Sequence, residues 1–281
     1  RKDAAMKGLS AGVDIDMNSG VYLENLESIV AQMPDLERKL DRAVLRVLTL
    51  KQKLGLFESF TTDPSICLEE LRKNEYVQTA RQAAVESIVL LKNNGILPLD
   101  QKPKKIAVIG PLADDTRTPL GCWPCKGDPE NVVSFIKAFQ NNHEYDILFE
   151  KGCEITSEDH ASCVRAQNIA RQSDLVIAIM GESSDMSGEN HNRSSIELPQ
   201  SQKELLKKIY ECNRNIILVI MSGRPIALEW ENEHMAAVLQ AWHLGDESGN
   251  AISEIITGMA TPSAKLTATV PRSTGQIPMY Y

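Results

Sequence analysis

Residues 176–200 read VIAIMGESSDMSGENHNRSSIELPQ, and the fold turns on how this stretch is read. Leu175 to Met180 is an unbroken aliphatic run of strand length, the pattern of a strand buried on both faces of a sheet. A polar loop follows, carrying Glu182, Asp185 and Glu189. The chain then enters a helix with Pro199 near its first turn, where a missing N–H costs nothing. Ligands of open α/β sheets sit beyond the carboxyl ends of the strands. A carboxylate on such a loop can reach a substrate outside its own domain, which is what acid/base chemistry requires.

The pattern repeats to either side. Further strands are expected at Lys105–Ile109, Ile147–Glu150, Ile216–Met221, Ala237–Ala241 and Leu266–Val270. Helices are expected at Gln78–Asn93, Pro129–Gln140, Ser157–Gln172, Pro199–Cys212 and Gly249–Gly258. Alternation of this kind predicts an α/β fold, a mostly parallel sheet sandwiched by helices, over residues 78–281. Residues 59–77 read as a polar linker. Residues 1–58 have another character. A short strand with alternating Val13, Ile15 and Met17 precedes a helix near Val21–Gln32. A second helix from Asp35 strings Leu36, Leu40, Ala43, Val47, Leu50 and Leu54 on one stripe, which Gly55 ends. One strand and two helices do not make a domain, so this stripe calls for a partner outside the chain.

Composition narrows the function. With 281 residues, 42% hydrophobic and 24% charged, the chain has the balance of a globular protein with a real core. A net charge of −8 without a basic cluster argues against a nucleic-acid partner. No apolar run reaches the roughly 18 residues of a membrane span, and Arg1 to Met6 reads as helix interior rather than a signal peptide. The six cysteines show no paired zinc spacing. Cys122 and Cys125 form a CxxC, but redox pairs of that kind open a helix directly after a strand. Here the pair falls well beyond the strand ending near Gly110, among Pro119, Gly121 and Pro124, and reads as a structural loop.

Taken in order, these pieces resemble glycoside hydrolase family 3, specifically its two-domain bacterial β-glucosidases. Residues 11–17 (AGVDIDM) with Tyr22 are similar to the last strand region of the family's (β/α)8 barrel, and residues 43–58 to its closing helix. Residues 83–93 (AAVESIVLLKN) and Leu97 to Leu99 are similar to the entry of the second, α/β sandwich domain. The likeness continues through residues 106–114, 121–123, the loop from Gly181 to Arg193, residues 222–225 (SGRP) and residues 271–281. Residues 1–58 are therefore expected to be the terminal piece of a barrel.

The resemblance implies a retaining exo-glycosidase acting on terminal β-linked glucose. In such enzymes a barrel aspartate attacks the anomeric carbon and a glutamate of the second domain protonates the departing oxygen. By its place in the loop pattern, Glu189 is that donor. A general acid must be neutral when substrate arrives, which asks for burial or a neighbouring carboxylate; Asp185 and Glu182 are the candidates. Arg193 is the candidate counter-charge orienting the loop. Trp123 falls where the family carries an aromatic platform for the sugar beyond the cleaved bond. Asp16 and Met17, at the barrel strand's end, are candidates for lining the site, and Glu182 for direct sugar contact. His191 reads as a surface imidazole, and Trp242 as core.

The two carboxyl groups of a retaining site stand roughly 5 to 5.5 Å apart. The family's nucleophile motif lies upstream of residue 11 and is not in this sequence, so the chain is read as a fragment, inactive alone, whose partner is the missing barrel portion. No metal or organic cofactor is called for. A periplasmic or secreted location is favoured, as for relatives. Two alternatives stand beside this: a β-xylosidase or arabinofuranosidase of the same family, and a non-catalytic carbohydrate-binding module. Ser248, Ala264 and Thr267 depart from the family's usual residues and leave the sugar preference open.

Overall fold

Two neighbouring strands, each apolar on both faces, organise the larger part of the molecule in the computed structural model, which describes residues 1–59, 61, 63–99, 104–141 and 145–280, the side chains of residues 68 and 69 excepted. Parts of the expected linker, and Tyr281 at the end of the family-like segment, lie outside the described residues. The chain divides into two compact units, Arg1–Glu70 and Leu71–Tyr281.

In the first unit, helices α1 (Lys2–Ala11), α2 (Val21–Gln32) and α3 (Glu37–Lys53) pack Ala5, Leu9, Ile29, Leu36 and Ala43 into a small core. The α3 stripe is only partly used: Leu36 and Ala43 are buried, whereas Leu50 and Leu54 stay exposed. The expected strand at residues 13–17 does not form; Val13, Ile15 and Met17 are in irregular, exposed chain. A strand is held by hydrogen bonds to another strand, and none lies among the described residues of this unit. The expected linker also holds more structure than its polarity suggested. Helix α4 spans Pro64–Leu71, its start capped by Asp63, whose Oδ1 accepts from the Ser65 N–H at 2.9 Å.

The second unit runs α5 (Asn74–Ser87), β1 (Val89–Asn93), β2 (Lys105–Ile109), α6 (Phe135–Gln140), β3 (Asp146–Glu150), α7 (His160–Arg171), β4 (Leu175–Gly181), α8 (Gln200–Cys212), β5 (Ile216–Met221), α9 (Glu229–His234), β6 (Ala237–Gln240) and α10 (Ser248–Thr257). The sheet order is β1-β6-β5-β4-β2-β3, parallel except for the β1–β6 pair. Side chains alternate between faces. Val108, Ile177, Ile179, Ile217 and Val219 pack with Phe135, Phe139, Ile252 and Ile255 on one side. Ile109, Val176, Ala178, Ile216 and Leu218 pack with Ala166, Leu205, Leu206 and Ile209 on the other. Each buried aliphatic side chain contributes about 1.5–3 kcal/mol, so these two layers are what keep the strand ends in place.

Three expected elements differ. The helix predicted over 78–93 stops at Ser87, and Val89–Asn93 becomes an edge strand antiparallel to β6. The run Ile88–Leu91 suits either structure locally, and the free edge of β6 decides. The helix predicted from Pro129 starts only at Phe135, capped by Ser134. Val133 is held extended because its N–H donates to the Asp246 carbonyl (2.8 Å) and its carbonyl accepts from Gly249 (2.9 Å). No strand forms at 266–270, where Leu266 is exposed.

Glu231 of α9 is 2% exposed, and its Oε1 has no hydrogen-bond partner among the described residues. Burial pushes its carboxyl above the ordinary range. The unfolded chain therefore releases this proton first, and stability is lost as pH rises from the unfolded value to the folded one. Glu231→Gln is expected to raise the melting temperature at neutral pH, with little gain below the ordinary carboxylate range, in thermal melts across pH.

Candidate active site

The loop from β4 begins at Gly181, whose φ of +143° lies outside the range of L side chains. A β-carbon there would collide with the Met221 carbonyl oxygen of β5. Gln202 of α8 fixes the same point: its Oε1 accepts from the Gly181 N–H, and its Nε2 donates to the Gly181 carbonyl, each at 2.8 Å. The strand end is thus pinned from the sheet and from a helix.

Glu182 follows, with no exposed surface. Arg193 donates to its Oε1, and Arg224 Nε donates to its Oε2 at 3.0 Å. Arg224 also reaches around the loop, its Nη2 donating to the carbonyls of Met186 and His191, the latter at 3.2 Å. One guanidinium therefore grips the chain on both sides of Glu189 while neutralising the buried carboxylate below it. Glu182 was expected to touch sugar, but with both oxygens taken and no accessible surface it is placed as an internal anchor. Arg193 forms an ion pair with Glu182.

Above this anchor, a cleft of about 160 Å³ is lined by Cys122, Trp123, Ser184, Asp185, Ser187, Gly188, Glu189 and His191. Three residues proposed from sequence, Trp123, Asp185 and Glu189, thus meet in one place, although Trp123 lies 66 positions before Glu189. Trp123 is 70% exposed, so it is no core plug. Cys122 and Cys125 are free and exposed, and Cys122 lines the cleft. Trp242, expected in the core, is only half-buried.

Asp16 and Met17 belong to the first unit and line a shallow hollow there with Tyr22 and Leu23. Met17 is 93% exposed. The Asp16 carboxylate organises the turn into α2, accepting from the backbone N–H of Tyr22 (3.1 Å) and from the backbone N–H and hydroxyl of Ser19. These bonds, that of Tyr22 foremost, hold its pKa down to about 2. Another hollow, of about 410 Å³ and lined by Leu91, Leu228, Glu229 and Arg272 among others, contains none of the expected site residues.

Sequence reasoning gave no role to Arg224, Ser187 or His243. The available signal for Arg224 was its position in SGRP, directly after a strand.

The sequence model of the glycosyl hydrolase family 3 C-terminal domain matches residues 88–281. The chain belongs to this family. It is 35% identical to a periplasmic β-glucosidase of Salmonella typhimurium over all of its own length and 40% of that protein's. It is 33% identical to a β-xylosidase of Formosa agariphila, again over its full length and 41% of the relative's. Among solved structures, the β-glucosidase of Listeria innocua in complex with gluconolactone superposes with a TM-score of 0.83 at 32% identity, covering the whole chain and 38% of that protein. The β-glucosidase of Bifidobacterium adolescentis gives 0.76 at 26% identity, covering 96% of the chain and 39% of its own. The chain thus spans about 40% of the length of the curated relatives named here.

Arg224→Met is expected to cost about 3 kcal/mol, because a buried carboxylate loses one of its two partners. Arg224→Lys should recover little, since one ammonium cannot serve Glu182 and two carbonyls from a single plane. Urea unfolding of the variants checks both.

Proposed function

We propose that this chain supplies the proton-transferring part of a retaining, exo-acting β-glucosidase that removes terminal β-linked glucose, with Glu189 as the general acid/base. The observation that carries this reading is the convergence of Glu189, Asp185 and Trp123 on one cleft, in a chain of family 3. The first unit is read as the end of a (β/α)8 barrel. The nucleophilic aspartate belongs to barrel sequence upstream of residue 11. The full-length superposition on β-glucosidases supports this assignment of the first unit.

In this mechanism Glu189 protonates the departing oxygen while the aspartate bonds to the anomeric carbon. Glu189, now a carboxylate, then takes a proton from water as the water attacks the glycosyl-enzyme. Its exposed place on a loop gripped by Arg224 suits a group that must meet substrate. Trp123 offers a flat apolar face to the leaving sugar while its hydroxyls stay solvated. No metal or organic cofactor enters these steps. Export to the periplasm or beyond the cell is proposed on the name of the Salmonella relative.

The relative named a β-xylosidase supports a second reading, in which the same site acts on xylosides. The Met186–Glu189 loop sequence looks more like the glucosidase branch of the family, which favours the first reading. The kcat/KM ratio of the complete enzyme for aryl glucosides against aryl xylosides decides; a larger value for xylosides overturns the glucosidase assignment.

The donor role has its own test. In the complete enzyme, Glu189→Gln should lower kcat/KM for disaccharides and alkyl glucosides by about 10²–10⁴-fold, the usual worth of general acid help. Dinitrophenyl glucosides, whose leaving group needs no proton, should keep their glycosylation rate. Equal losses on both classes would remove Glu189 as the donor, and absence of hydrolysis by the complete enzyme would leave the carbohydrate-binding module.

A further inference from the structure

Two buried polar atoms beneath the donor loop have no hydrogen-bond partner among the described residues: Ser187 Oγ and His243 Nε2. Ser187 is 4% exposed and lies two residues before Glu189. His243 follows β6, so the two arrive from different strands. Both stand against Gly223, between Ser222 and the gripping Arg224. A β-carbon on Gly223 would collide with Ser187 Oγ, and it would stand 2.8 Å from Ser187 Cβ and 3.0 Å from His243 Cε1. On its other side the ring meets the Trp123 loop, with Nδ1 3.1 Å from where Gly121 would carry a β-carbon. Leaving a buried donor or acceptor unpaired costs about 1–3 kcal/mol, so two such atoms in one place are a standing cost.

We propose that Ser187 and His243 are positioning residues, a latch in which the Ser187 hydroxyl donates to His243 Nε2 as the loop seats on substrate, setting the Glu189 carboxyl against the leaving oxygen. The inference rests on the donor role proposed for Glu189. The chemistry of the pair fits. A hydroxyl donates, and a neutral imidazole accepts at one nitrogen. Burial holds the His243 pKa below its ordinary value, which keeps the ring neutral at neutral pH. The missing β-carbon of Gly223 is what lets the hydroxyl and the ring stand side by side. The ring also touches the Trp123 loop, so the latch couples the aromatic platform to the donor.

The test uses the complete enzyme and two substrate classes. Ser187→Ala and His243→Leu should each lower kcat/KM for disaccharides about 10-fold, a fraction of the full general-acid effect, and leave dinitrophenyl glucosides within about 2-fold. The double variant should be no worse than the poorer single one, since both remove the same bond. His243→Gln, which keeps an acceptor near Nε2, should recover most of the loss and guards against a fold defect in the Leu variant. Uniform losses on both substrate classes, fully additive losses, or no loss at all would each overturn the latch. Glu189→Gln, run in parallel, separates the two failures. If it discriminates between leaving groups while the Ser187 and His243 variants do not, only the latch falls. If it fails to discriminate, the donor assignment falls as well.

Discussion

The buried carboxylate of Glu182, held between two guanidiniums, is the constraint on which the site depends. A charge with no exposed surface is stable inside a protein only if its oxygens are hydrogen-bonded and its charge is met. Arg193 and Arg224 do both, and they come from different parts of the chain: one from the far end of the loop after β4, the other from the loop after β5. Because Arg224 also holds the Met186 and His191 carbonyls, satisfying Glu182 shapes the backbone on either side of Glu189. The exposed residue is positioned by the buried one.

That anchor works because the strands beneath it do not move. β2, β4, β5 and β6 are mutually parallel, so the loops leaving their carboxyl ends emerge along one edge of the sheet. These loops carry Trp123, Glu189, Arg224 and His243 respectively. The chain leaves β2 toward β3 on one side and leaves the adjacent β4 toward β5 on the other, so the two connections diverge. Open α/β sheets form their ligand crevices at such points. The packed layers on both faces supply the rigidity, and the loops supply the chemistry.

What the sequence made legible, and what it did not, follows from how local each signal is. Leu175–Met180 announced itself because a strand covered on both faces must be apolar at every position. Glu189 stands out as a candidate through the loop pattern around it, and Trp123 through its own segment, and both line one cleft. Val89–Asn93 was taken for helix because Ile88–Leu91 satisfies either periodicity; only the open edge of β6, almost 150 residues later, turns it into a strand. Residues 13–17 were taken for a strand on their alternation alone, which says nothing about whether a pairing strand lies beside them. Glu182 was assigned to sugar because nothing local reveals that Arg224, 42 positions away, closes over it. Ser187 and His243 were missed for the same reason. Their relation exists only across Gly223.

Trp123 and Glu189 hang from adjacent strands, β2 and β4, rather than from one loop. Adjacent strands lie about 4.8 Å apart, a spacing fixed by backbone hydrogen bonds and indifferent to side chains. The sheet thus acts as a ruler for the mouth of the cleft: the roots of the Trp123 and Glu189 loops are set one strand apart, whatever sequence the loops carry. Widening the cleft then demands longer loops, not altered strands. Changes to the cleft can be confined to those loops, leaving the two apolar layers untouched.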